Sequence, residues 1–242
     1  MIDTIMLDLD GTLLRFSQDA FIGAYFPRLK KVFSRLGMDD ERSVKAVWAG
    51  TKAMVLNDGS KLNSERFWDT FTKYLGLMGE KLSDVEAACE HFYKNEFDAV
   101  KSVMDPTDIP KRLIPALASK GYSVVLATNP LFPACAVETR LRWAGLKAQD
   151  FQLITHYENS SYCKPNPGYF QEIFVKINKE PDQCLMAGNN PVEDMCVGEL
   201  GSETFLVTDC LESVDGVDIS TFQRGTLTEL ETYLMSMPDI SR

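Results

Sequence analysis

TIMLDLDGTL, residues 4–13, is the stretch on which the fold turns. Ile5, Met6, Leu7 and Leu9 are apolar on both sides of an extended segment, as in a parallel strand covered by helices on each face. Gly11 ends the run. Asp8 and Asp10 fall at its C-terminal end, where open α/β sheets bind their ligands. Read as one strand over residues 4–10, the segment sends both carboxylates out on the same side. Two carboxylates so close repel each other and need a metal ion or a cation beside them. An isolated pair of acids would more simply be a solvated turn, but this pair follows the apolar run Ile5-Met6-Leu7 and opens an α/β pattern.

After the first strand, residues 17 to about 97 have helical periodicity throughout. Phe21, Tyr25, Leu29, Val32 and Leu36 align on a first helix that Gly37 ends. A second helix starts near Asp39, with Val44, Val47 and Trp48 apolar, and runs towards the Asn57-Asp58-Gly59 turn. A third follows Asn63 or Ser64 and aligns Phe67, Phe71 and Tyr74 before Gly76. A fourth is expected at Ser83, where Ser-Asp-Val-Glu forms a capping box closed by Glu86. Four helices with no strand between them are too many for one crossover, so residues 15–104 are expected to form an inserted helical domain. Pro106 and Pro110 mark the return to the core. Strands are then expected at 122–128, 151–155, 184–187 and 204–208, with helices at 132–144, 167–178, 192–200 and 228–235. That alternation implies a doubly wound, Rossmann-like parallel sheet built from residues 1–14 and 105–242.

The bulk properties narrow the function. The chain has 242 residues, 45% hydrophobic and 25% charged, and can bury a substantial core. A formal net charge of -10 argues against non-specific nucleic-acid binding. It leaves room for a small phosphorylated substrate, because a local cation or metal overrules the global field inside a cleft. No segment approaches the ~18 apolar residues of a membrane span, and the first residues lack the basic stretch of a signal peptide. The six cysteines show no zinc-site spacing and read as small buried thiols in a reducing, cytoplasmic setting. His91 and His156 are more simply structural than ligand-binding.

Asp8-Leu9-Asp10-Gly11-Thr12-Leu13 resembles the first signature of the haloacid dehalogenase-like hydrolases, and three further signatures follow in order. Val-Val-Leu-Ala-Thr128-Asn129 resembles the second, and Cys163-Lys164-Pro165-Asn166-Pro167 the third. Gly188-Asn189-Asn190-Pro191-Val192-Glu193-Asp194 resembles the fourth, with one departure. Asn189 stands where the family usually carries a metal-binding Asp. An Asn still offers a carbonyl oxygen, but no charge.

The resemblance implies roles for these residues. Asp8 is the expected nucleophile, accepting a phosphoryl group and splitting hydrolysis into two displacements. Asp10 is the expected general acid and base. Thr128 and the Asn129 N–H are expected to hold phosphate oxygens, and Lys164 to supply fixed positive charge. Magnesium is the expected cofactor, held by Asp8, the Asp10 carbonyl, Asn189 and Asp194. A phosphatase of a small phosphorylated metabolite, with a helical cap over the cleft, is the favoured function. A haloacid dehalogenase, a phosphomutase and a non-catalytic binder with a weakened metal site are the alternatives. Asp10 counts against the dehalogenase.

Overall fold

The computed structural model describes residues 1–212 and 215–240. Strand β1 (Thr4–Leu7) lies in the middle of a six-stranded, wholly parallel sheet. The other strands are β2 (Ser123–Leu126), β3 (Leu153–Ile154), β4 (Cys184–Gly188), β5 (Glu203–Val207) and β6 (Arg224–Gly225). They are ordered β3-β2-β1-β4-β5-β6. The chain order therefore reverses at β1, which places the switch point between β1 and β4.

Side chains alternate across this sheet with the period of two that a pleated strand imposes. Ile5, Leu7, Val124, Leu126, Leu185, Ala187, Phe205 and Val207 enter one apolar cluster, whereas Met6, Val125, Ala127, Cys184 and Met186 enter another. The first face is covered by α5 (Ile109–Ser119), α6 (Ala134–Trp143) and α8 (Leu227–Ser236); α7 (Pro167–Ile177) covers the second. Burial on both faces explains why β1 reads as a continuous apolar run. The fold is the expected Rossmann-like α/β architecture.

Four helices, α1 (Gln18–Arg35), α2 (Asp40–Val55), α3 (Asn63–Leu75) and α4 (Glu80–Asn95), come between β1 and α5. A 3₁₀ segment, Phe97–Val103, follows them. Ser17 caps α1 through its hydroxyl, and Asp39 caps α2 through its carboxylate. The outgoing and returning strands of chain meet at an antiparallel bridge, with the Asp105 N–H donating to Arg15 O at 2.8 Å and their side chains paired at 3.0 Å. The helical segment shares its apolar core with the sheet layer. Phe97 packs against Trp143 with tilted rings 5.1 Å apart, and Phe21 meets Phe132 edge-on at 6.0 Å.

A further attachment lies at the start of α3. Asn63 is fully buried, and its amide nitrogen donates to the Tyr162 carbonyl at 3.1 Å and faces Cys163 Sγ at 3.3 Å. Its backbone N–H donates to Ser160 O at 2.8 Å, and that of Ser64 to Tyr157 O at 2.8 Å. Asn57 holds the Asn63 side-chain oxygen from within the helical segment, at 2.8 Å.

Several expected boundaries shift. β1 ends at Leu7, so Asp8 and Asp10 follow the strand rather than continuing it. The fourth helix begins at Glu80, with Gly79 before it at φ +57°, and the Ser83 capping box falls inside the helix. The expected helix at 192–200 is a shorter 3₁₀ turn over Met195–Leu200. Strand β6 was not expected.

Candidate active site

The C-terminal ends of β1, β2 and β4 open into a cavity of about 850 Å³ between the sheet and the helical segment. Asp8, Asp10, Thr128, Asn129, Asn189 and Asp194 all line it. Asp8 and Asn189 come directly after β1 and β4, and Thr128 two residues after the end of β2, so three adjacent strand ends present residues to one space. Neither His91 nor His156 lies in the cavity wall among the described residues.

Lys164 lies buried beneath this floor, on the segment leading into α7. Its Nζ donates to Asp8 Oδ1 at 2.9 Å and to Asp194 Oδ1 at 2.6 Å. The Asn190 N–H donates to Asp194 Oδ2 at 2.9 Å. Burial works to lower the Lys164 ammonium, but the Asp194 and Asp8 charges override it and hold its pKa well above the ordinary value. One ammonium neutralises only one of two carboxylates. Burial accordingly pushes Asp8 up to about 8, with Asp194 and Asp10 acting in the same direction and Lys164 opposing.

Two glycines make this packing possible. Gly11 sits at φ +80°, and a Cβ there would lie 2.2 Å from Asn189 Nδ2. A Cβ on Gly188 would lie 2.1 Å from Asp194 Oδ2. Thr12, whose place in the first signature carried no assigned role, joins the strand ends from below. Its hydroxyl lies 3.4 Å from Asp8 Oδ2 and 3.1 Å from Asn189 Oδ1. The other end of the Asn189 amide donates to Cys210 O at 2.7 Å, which fixes its orientation.

Asp10 takes a different partner. Its Oδ2 accepts a hydrogen bond from Arg140 Nη1 on α6. Arg140 is wholly buried and lies 4.4 Å from the centre of the Phe132 ring. Burial raises the Asp10 carboxyl, while Arg140 and then Lys164 oppose it. Sequence reasoning missed Arg140. The signal was available: Ala136, Val137, Arg140, Leu141 and Ala144 fall on one helical stripe, which sets an arginine among buried positions.

The floor is braced by further polar contacts. The Thr128 carbonyl accepts from the Thr155 hydroxyl at 2.6 Å and the Tyr169 hydroxyl at 3.0 Å. The hydroxyl of Thr128 itself has no bonding partner among the described residues. Asn129 Nδ2 donates to Glu193 Oε2 at 2.9 Å, and Asn129 Oδ1 accepts from the Lys164 N–H at 3.3 Å. Asn129 thus ties the loops after β2 and β4 to the lysine-bearing segment.

The oxygens suit a hard cation in kind. Among the described residues, no three His, Cys, Asp or Glu side chains converge to hold an ion. The floor nevertheless offers the Asp8 and Asp194 carboxylates and the Asn189 amide oxygen. If all three ionise, the Asp8, Asp10 and Asp194 carboxylates face only two cations, Lys164 and Arg140, so a fully ionised floor lacks positive charge before any anion enters. A divalent cation meets that shortage, and the donor set fits magnesium.

A family model of haloacid dehalogenase-like hydrolases matches residues 2–198. The chain belongs to the haloacid dehalogenase-like hydrolases. Solved structures of this superfamily share its fold at low sequence identity. A phosphatase from Thermococcus onnurineus superposes with a TM-score of 0.62 at 18% identity, over 99% of this chain and 100% of that one. A 2-haloacid dehalogenase from Pseudomonas syringae gives a TM-score of 0.62 at 16% identity, over 97% and 98%. A superfamily enzyme from Bacteroides thetaiotaomicron, solved with magnesium and inorganic phosphate, gives 0.52 at 17% identity, over 91% and 98%. No curated protein matches the sequence. No helix among the described residues is long and apolar enough to cross a membrane.

Proposed function

We propose that this haloacid dehalogenase-like hydrolase is a magnesium-dependent phosphomonoesterase that works through a phospho-aspartate at Asp8. The observation that carries the reading is the presence of two carboxylates, Asp8 and Asp10, in one cavity with Thr128 and Asn129. A dehalogenase needs only the first carboxylate. A phosphatase needs the second as well.

In this reading Asp8 attacks phosphorus while Asp10 gives its proton to the departing alkoxide. Asp10 then takes a proton from the water that hydrolyses the acyl phosphate. The Thr128 hydroxyl and the Asn129 N–H bind the phosphate oxygens, where charge collects in the transition state. Lys164 holds the Asp8 carboxylate in place and offsets its charge. Asp8, the Asp10 carbonyl, Asn189 and Asp194 would hold magnesium, which supplies Lewis-acid stabilisation of the phosphoryl group. Residues 15–104 act as a cap that covers the cavity and keeps stray water from the acyl phosphate. A small phosphorylated metabolite is the substrate.

The Arg140 contact and the neutral Asn189 favour one competing reading. An Asp10 held by arginine and a metal position without charge both suit a dehalogenase, in which Asp8 displaces halide from carbon. One assay separates the two. Inorganic phosphate released from a panel of monoesters with magnesium, and lost on chelation, supports the phosphatase. Halide released from 2-haloacids without phosphate release refutes it.

A further inference from the structure

The cavity lining is of two kinds. Its floor is the carboxylate cluster, and much of the rest is aromatic. Phe26 and Trp48 stack at 5.1 Å with an interplanar angle of 24°, and Trp48 remains 49% exposed. Phe67, Trp68, Phe132 and Tyr157 line the same space. None of these six is fully buried. They are only partly covered by the molecule's own packing.

Size matters here. A cavity of about 850 Å³ lies near the top of the roughly 300–1,000 Å³ range of ligand sites. A two- or three-carbon phosphate would leave most of it as water against aromatic rings, an unfavourable arrangement.

Charge narrows the choice further. Beyond the floor, the wall carries Glu86, Glu90, Glu158, Glu193, Asp209 and Glu212. Lys94 is the one cationic side chain in the wall among the described residues, and it is already paired with Glu90. Among the described residues no unpaired cation lines the cavity to receive a second phosphate or a substrate carboxylate, and a second acid would meet like charge.

We propose that the substrate is a phosphate monoester of a bulky aromatic alcohol that carries no second acidic group. This rests on the phosphatase reading and specifies its substrate class. The phosphate seats on the Asp8 floor, and the aromatic body stacks against the Phe26–Trp48 wall. Burying an aromatic body in such a site is worth roughly 10²-fold in affinity.

Primary alkyl esters test this with matched leaving groups: ethyl phosphate, 2-phenylethyl phosphate and 2-(1-naphthyl)ethyl phosphate, beside 2-phosphoglycolate and glucose 6-phosphate. With magnesium, kcat/KM should rise about 10²-fold from ethyl to naphthylethyl phosphate, chiefly through KM, with phosphoglycolate below both. Trp48→Ala should cut the naphthylethyl-to-ethyl ratio at least ~5-fold. Calorimetry on the metal-free protein gives a reading independent of turnover, and naphthylethylphosphonate should bind far more tightly than ethylphosphonate. Turnover that is flat across the esters, or highest on phosphoglycolate or glucose 6-phosphate, overturns the substrate class and leaves the phosphatase standing. Turnover of no ester overturns the phosphatase reading and this proposal with it. Equal affinity for the two phosphonates overturns the role of the aromatic wall.

Discussion

Two ion pairs meet at the loop after β1, and they are finished to different degrees. In the Lys164 cluster, one ammonium serves both Asp8 and Asp194, and the remaining Asp194 oxygen takes a backbone N–H. In the Asp10–Arg140 pair, Asp10 Oδ1 and Arg140 Nε and Nη2 are buried without partners among the described residues. A buried group left unbonded costs about 1–3 kcal/mol. The first cluster is closed on the protein side and fixes Asp8 where a reaction would begin. The second holds unspent hydrogen-bonding capacity beside a cavity, so Asp10 has less to lose on exchanging its partner for a substrate or a water.

The severest way to break the comparison is at its centre. Asp8→Asn should reduce turnover by about 10⁴–10⁶-fold, the scale of deleting a nucleophile. Its amide oxygen can still accept from Lys164, so the melting temperature should stay within a few degrees. Wild-type turnover in this variant would remove the covalent mechanism.

Lys164→Met should come next, now in stability. It strands Asp8 and Asp194 in a buried site, a cost of about 3–5 kcal/mol, read as a lower denaturant midpoint at unchanged slope. Arg140→Met should cost less, about 1–2 kcal/mol. The Asp10 side chain is 32% exposed and recovers water, and the unpartnered Arg140 nitrogens disappear with the substitution. Equal losses in the two variants would erase the distinction between closed and open pairs.

Asn189→Asp is the subtlest change. The native amide accepts from Thr12 and donates to the Cys210 carbonyl, and a carboxylate at the second contact sets oxygen against oxygen. Without metal the variant should lose about 1–2 kcal/mol. Millimolar magnesium should restore that loss and raise the melting temperature more than in the wild type, because only the folded state holds the ion. A loss that magnesium does not recover would mean that Asn189 is a structural brace alone.

Much of the core was legible because its signals are local and ordered. The apolar run ending at Asp8, the strand ending before Thr128 and the Lys-Pro pair at 164–165 each announce themselves in a few residues. Asp8 and Thr128 meet in one cavity because parallel strands present the same ends, and Lys164 comes up beneath them from the segment before α7. Other features depended on packing that a linear reading does not contain. Arg140 reads as one more helix arginine until α6 is laid against the sheet. Ser-Asp-Val-Glu at 83–86 looked like a helix start, yet Glu80, Lys81 and Leu82 already continue the helix upstream. Strand β6 consists of Arg224 and Gly225, which carry no β signal and pair only because β5 offers an edge.

Asn63 carries a consequence for anyone who would exchange the helical segment for that of a relative. Cutting near Arg15 and Asp105 looks sufficient, since the chain crosses there and the two crossings bridge each other. The third attachment, however, is a single asparagine whose amide is written into the loop at 157–163. A transplanted segment without an equivalent side chain would leave the Tyr162 carbonyl short of its donor. The unit of modular exchange in this protein is therefore larger than the inserted segment. It takes in the loop at 157–163 as well as the helices, and beyond that Phe132 and the α6 face at Trp143, which meet the helical segment, so a chimera that moves helices and loop together should be more stable than one that moves the helices alone.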